Sequence, residues 1–81
     1  MDNHNKAFGK VLRELRQSRG ASQETLAWDA QLARTYISLL ELGQRSPTLD
    51  TMLALCGAFK ITLSELASRV EAKIAEESRN A

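Results

Sequence analysis

The chain contains one cysteine, one proline, one histidine and four aromatic residues among 81. A lone Cys56 excludes an internal disulfide and a cysteine-based metal site. With apolar Leu53 and Phe59 at helical spacing around it, Cys56 reads as a buried structural thiol rather than a redox sensor. The only histidine, His4, lies close to the N-terminus. No paired carboxylates, glycine-rich phosphate loop or Ser-His-Asp order accompanies it, so no catalytic residue, metal ligand or cofactor is assigned. No apolar run approaches the roughly 20 residues that cross a bilayer. The opening segment MDNHNKAF has no apolar core of a signal peptide, so a cytoplasmic protein with no membrane partner is expected. A strong excess of either charge is also missing, the net charge being +1. The slight bias that exists is positional. Lys6, Lys10, Arg13, Arg16, Arg19, Arg34 and Arg45 precede residue 48, and only four of the 11 Lys/Arg follow it.

With one proline and few glycines, little interrupts a helical chain. Eighty-one residues suffice for one domain, 1–81, with 43% apolar residues available for a core. Phe8, Val11, Leu12 and Leu15 follow the i, i+3, i+4, i+7 template and predict a first helix from about Asn5 to Arg19, stopped by Gly20. Lys10, Arg13 and Arg19 lie on its other face. Ser22 is an N-cap for a second helix, and Glu24 suits its positive end. Gln31 and Leu32 form a turn, and a third helix runs from about Arg34 to Leu42 before Gly43. Thr48 caps a fourth helix with an expected core stripe of Leu49, Met52, Leu53, Cys56 and Phe59. The T-x-x-E run Thr62 to Glu65 is a capping box that opens a fifth helix, 63–75, with Leu66, Val70 and Ile74 on one stripe. A polar tail, 76–81, follows. No segment carries a strand signal, so the expected fold class is all-α, five short helices around one core.

The run Gln23 to Leu42 carries the functional signal. Leu26, Ala30, Leu32, Ile37 and Leu40 supply apolar positions across two short helices and a tight turn, and small Ala27 sits where the helices would touch. Arg34, Thr35 and Ser38 share the face of the second helix of this pair opposite Ile37 and Leu40. A helix that buries one face and offers guanidinium and hydroxyl groups on the other can enter a DNA major groove. Arg34, in the first turn, is a candidate base contact, and Thr35 beside it and Ser38 one turn on are candidate base or phosphate contacts. Leu39 can pack on a thymine methyl group or in the core, and Arg45 in the following loop is a candidate phosphate contact. Tyr36 is expected at the junction of the second and third helices. Trp28 lies off the apolar stripe and reads as a surface residue within reach of the DNA backbone or a partner.

The order of these motifs resembles the Cro/repressor-type (XRE) helix-turn-helix family. The match rests on Leu12-Arg13-Glu14-Leu15-Arg16, Ser22-Gln23-Glu24 with Leu26-Ala27, Arg34-Thr35-Tyr36-Ile37-Ser38 with Glu41 and Gly43, Pro47-Thr48-Leu49 and Leu63-Ser64-Glu65-Leu66, covering about residues 8–68. The Arg-Thr-Tyr-Ile-Ser string also looks like the recognition helix of restriction–modification controller proteins. The resemblance implies a five-helix Cro/repressor-like bundle with its helix-turn-helix at 23–42. It further implies that Gln23 binds a phosphate and braces the first residues of the third helix, and that Arg16 and Glu41 form a buried ion pair. Three positions depart from the pattern. Gln31 stands where glycine is usual, Ala33 where a Ser or Thr cap is usual, and Leu39 and Leu42 where polar residues are common.

The sequence therefore reads as a sequence-specific DNA-binding transcriptional regulator, a repressor acting as a homodimer on a palindromic operator in double-stranded DNA. No small-molecule ligand is expected. Val70 and Ile74 are the candidate dimer contacts, rimmed by Arg69, Glu71 and Lys73, because their stripe runs past the core that helices one to four can cover. The competing reading is a protein-interaction module, such as an antitoxin that binds a partner protein through Trp28 or the C-terminal helix.

Overall fold

The computed structural model describes residues 4–79. Five helices follow one another: α1 (His4–Ser18), α2 (Gln23–Ala30), α3 (Arg34–Glu41), α4 (Leu49–Phe59) and α5 (Leu63–Arg79). The described residues contain no strand. The protein is thus the all-α, five-helix bundle that the apolar spacing predicts.

Each helix contributes to one core. Leu12 from α1, Ile37 and Leu40 from α3, Leu55 from α4 and Leu66 from α5 are the large side chains fully withdrawn from solvent, with Leu26 of α2 beside them. Each such burial stabilises the fold by roughly 1.5–3 kcal/mol before the entropy of ordering is counted. Ala27 is buried as well, which allows α2 to pack against its neighbours.

Gly9 sets how closely α1 and α3 cross. A Cβ at this position would lie 2.5 Å from the carbonyl oxygen of Leu40 and 2.6 Å from that of Glu41. A mid-helix glycine costs about 1 kcal/mol against alanine. Here it is what lets α3 sit directly on α1.

The caps are local and follow the sequence. The Ser22 hydroxyl accepts from the Thr25 N–H at 3.0 Å, and the Thr48 hydroxyl accepts from the Thr51 N–H at 3.0 Å. Thr62 and Glu65 exchange the two bonds of a capping box at 2.9 and 3.0 Å. The Thr62 N–H, and secondarily its hydroxyl, hold the Glu65 carboxylate below its ordinary pKa.

Several expectations require correction. On α4, Leu49 and Leu53 are 56% and 50% exposed, while Thr51 and Leu55 are buried with Cys56 and Phe59. The helix is apolar almost all the way round, so its periodicity does not select one face. Burial raises the Cys56 thiol pKa, with the Glu65 charge adding to the effect. His4 is the first residue of α1, one position before the expected start at about Asn5. The Tyr36 hydroxyl reaches α4, 3.1 Å from the Thr51 Oγ1, a contact that the sequence does not predict.

The last helix departs most. α5 extends to Arg79, so residues 76–79 are helical and not a tail; Asn80 and Ala81 lie outside the described residues. It lies along α1, where Lys73 donates to Glu14 at 2.7 Å and Lys10 pairs with Glu77. Glu14 is the main reason that the Lys73 ammonium pKa is raised. Lys73 therefore faces α1 within its own chain rather than rimming an interface. Val70 is half-buried against the core, and only Ile74 of the predicted pair is exposed.

Candidate nucleic-acid interface

Helix α3 stands between a buried and an open face. Ile37 and Leu40 point into the core. Arg34, Ser38 and Leu42 recur every four residues on the opposite side, with Thr35 and Leu39 alongside. Arg34 and Thr35 are exposed, Ser38 and Leu39 are half-buried, and Leu42, just beyond the helix, is 60% exposed. Exposure of the first turn leaves its guanidinium and hydroxyl free to contact another molecule. Arg34 and Arg45 take part in no ion pair among the described residues.

The open face is held by polar contacts beneath it. Arg16 donates to Glu41 through Nε at 2.6 Å and Nη2 at 3.0 Å, and through Nη1 to the Ala21 carbonyl at 2.9 Å. Their side chains are 12% and 5% exposed. The Glu41 hydrogen bond raises the Arg16 pKa against an opposing effect of desolvation. The Gln23 Nε2 donates to the same carboxylate at 3.0 Å. Glu41 thus ties the end of α3 to α1 and to the start of α2, and Arg16 ties α1 to the loop before α2. Gln23 lies at the N-terminus of α2, yet its amide points at Glu41.

The turn between α2 and α3 is made by Gln31 in the left-handed region, φ 57° and ψ 45°. The Leu32 N–H then bonds the Ala27 carbonyl at 2.9 Å, closing the end of α2. The conformation glycine would adopt freely is imposed on glutamine. At the start of α3, Ala33 occupies the N-cap and makes no side-chain cap hydrogen bond. Lys60, at the end of α4, is a second non-glycine residue in the left-handed region, which the sequence does not signal.

Not every basic residue of α1 and the turn after it is available to a ligand. The Arg19 Nη2 donates to the Phe59 carbonyl at 2.9 Å while the guanidinium lies 5.2 Å from the Phe59 ring centroid. Lys10 is engaged by Glu77. Arg13 and Arg45 remain exposed. Residues that sequence reasoning missed are Gly9, whose importance depends on a crossing, and the Tyr36–Thr51 pair. Among the described residues no group of His, Cys, Asp and Glu could hold a metal ion, and no helix is long and apolar enough to cross a membrane.

Comparison with known proteins gives this geometry a context. The control protein C.MunI of a Mycoplasma species is 40% identical over 65 residues, 79% of this chain and 88% of that protein. The transcriptional regulator DdrOP3 of Deinococcus deserti is 42% identical over 60 residues, 74% of this chain. The match spans only 46% of that longer regulator. Among solved structures, the restriction–modification controller protein C.AhdI of Aeromonas hydrophila is 45% identical, with a TM-score of 0.74 over 76% of this chain and 94% of that one. The helix-turn-helix family model matches residues 12–66, α1 to the first turn of α5. The chain belongs to the helix-turn-helix family.

Proposed function

We propose that this protein is a sequence-specific transcriptional regulator, a repressor that reads the DNA major groove with α3 as a homodimer. The observation that carries the reading is the open face of α3. Exposed, unpaired Arg34 and Thr35 project from a helix whose other face is locked to α1 through Gly9, Arg16 and Glu41. A guanidinium held on a rigid helix suits bidentate contact with guanine O6 and N7, worth roughly 1–3 kcal/mol of discrimination. Ser38 and Leu39 extend the reading surface by one turn, and Arg45 and Gln23 contact the phosphate backbone. For Gln23 this requires that its carboxamide be shared with, or released from, Glu41.

The proposed dimer surface is broader than the Val70 and Ile74 stripe. A groove of about 320 Å³ runs between the start of α1, the α3–α4 loop, α4 and α5, lined by Phe8, Pro47, Met52, Leu63, Ala67 and Val70 among others. Leu49 and Leu53, one helical turn apart on α4, and Ile74 on α5 add exposed apolar surface. A second copy related by a two-fold axis would cover this surface symmetrically. The subunit measures about 35 × 24 × 23 Å. Two copies side by side suit recognition helices one DNA turn, roughly 34 Å, apart.

The protein acts in the cytoplasm by occupying DNA, not by catalysis. Restriction–modification control, as named for the C.AhdI relative, is the setting that its similarity favours, and C.MunI is likewise named a control protein. Selection of bound sequences from a random DNA pool tests the reading. A palindromic consensus bound with sigmoidal dependence on protein concentration is expected. Recovery of no consensus would contradict it.

A further inference from the structure

Leu42 is 60% exposed at the far end of the α3 face proposed to read DNA. It caps α3 with right-handed backbone angles, φ −81° and ψ −4°, and its N–H bonds the Ser38 carbonyl at 3.0 Å. The residue therefore keeps its helical position. At about 3.6 residues per turn, Thr35 and Leu42 fall on one line, opposite the buried Ile37 and Leu40. Arg34 and Ser38 lie to one side of that line, and half-buried Leu39 lies to the other. The open face is thus divided along its length. Guanidinium and hydroxyl groups occupy its N-terminal half, and apolar Leu39 and Leu42 occupy its end. Ile37 and Leu40 already serve the core, from which Leu42 stands apart. Leu42 does not line the groove proposed for the second copy either.

We propose that Leu42 is a specificity-determining residue that packs on the 5-methyl group of a thymine, at a fixed distance from the base read by the first turn of α3. The inference rests on α3 being the reading helix, and it adds an order to the half-site. Leucine can neither donate to a phosphate nor hydrogen-bond a base edge, so a polar group of the DNA placed against it would only lose water. The thymine methyl is the apolar group that the major groove presents. Leu42 stands two turns beyond Thr35, roughly 10 Å along the helix axis. For a helix lying along the groove, with base pairs stacked at about 3.4 Å, that is roughly three base pairs. A polar base edge under Arg34 and a methyl group under Leu42 give each half-site one direction.

The test uses the full chain and an operator selected from a random DNA pool. Each thymine of a half-site is replaced in turn by deoxyuridine, which lacks only the methyl group and keeps every hydrogen-bonding group. One replacement should weaken binding by the parent roughly three- to five-fold, the scale of one buried methyl group. It should lie about three base pairs from the position at which Arg34→Ala relaxes specificity. Leu42→Ala should bind the thymine and deoxyuridine operators equally. Leu42→Met and Arg34→Ala should each keep the difference. The Leu42 variants alter an exposed side chain, so their circular dichroism and affinity for random DNA should match the parent's. An operator with no thymine on either strand at that distance overturns the proposal, as does a parent indifferent to every replacement. So does a Leu42→Ala variant that stays fully sensitive, which would assign the methyl contact to Leu39. Loss of self-association by Leu42→Ala without DNA also overturns it and assigns the side chain to a second copy. In each of these cases a selected consensus leaves the reading of DNA by α3 standing, whereas recovery of no consensus removes both.

Discussion

Arg16 and Glu41 join α1 to the last turn of α3 by two hydrogen bonds, 2.6 and 3.0 Å long, between side chains almost withdrawn from solvent. The pair is placed to orient the recognition helix. Its net worth is a separate matter, because desolvation offsets much of the Coulomb gain. Removing one partner leaves the other charge stranded.

Glu41→Ala should therefore destabilise the fold by about 3 kcal/mol, a large part of the 5–15 kcal/mol typical of a domain. Arg16→Met/Glu41→Leu should cost much less than the sum of the two single changes. Urea unfolding of the four proteins measures the coupling. Additive losses would mean that the pair does not act as a unit.

The turn holds strain that can be relieved. A left-handed conformation costs an L-residue roughly 1–2 kcal/mol, and Gln31 adopts it. Gln31→Gly should raise the melting temperature by about 4–8 °C, the shift that 1 kcal/mol gives in a domain of this size. Ala33→Ser, which restores a cap, should add a comparable amount. A lowered melting temperature for Gln31→Gly would show that the glutamine side chain stabilises the turn in another way.

Acid should loosen the start of α5 before it unfolds the domain. The folded-state pKa of Glu65 is depressed below 4.5 by the Thr62 N–H. Its contribution is thus present above pH 4.5 and lost as pH falls through the lower, folded value. Amide exchange at Thr62 should accelerate over that range, and Glu65→Gln should remove the pH dependence. A pH profile unchanged in Glu65→Gln would assign the effect elsewhere.

The exposed apolar surface of α4 and α5 predicts a concentration-dependent dimer. Leu53→Glu/Ile74→Glu alters side chains half or more than one-third exposed, so the monomer fold should persist. Sedimentation should show the parent self-associating in the micromolar range and the variant monomeric. A variant that sediments like the parent would move the interface to another face.

Helix order and most caps were legible because they are local. Ser22, Thr48 and the Thr62–Glu65 box each act within three residues. The resemblance implied the Arg16–Glu41 pair, and the structure places it as expected. What was illegible is non-local or degenerate. Gly9 matters only because α3 crosses α1 there. Leu49 and Leu53 could not be told from Thr51 and Leu55 on a helix apolar on most sides. The last turn of α5 lies where Lys10 meets Glu77, 67 positions away. The open face of α3 could be placed from spacing alone, whereas the hold of Glu41 on Gln23 could not.

The most direct measurement is the affinity of Arg34→Ala for a selected operator and for random DNA of the same length. If α3 reads bases, the variant should lose about 1–3 kcal/mol on the operator, roughly 5- to 150-fold, and far less on random DNA. Equal losses on both, or none on either, would contradict the claim that Arg34 and the face of α3 around it carry sequence recognition.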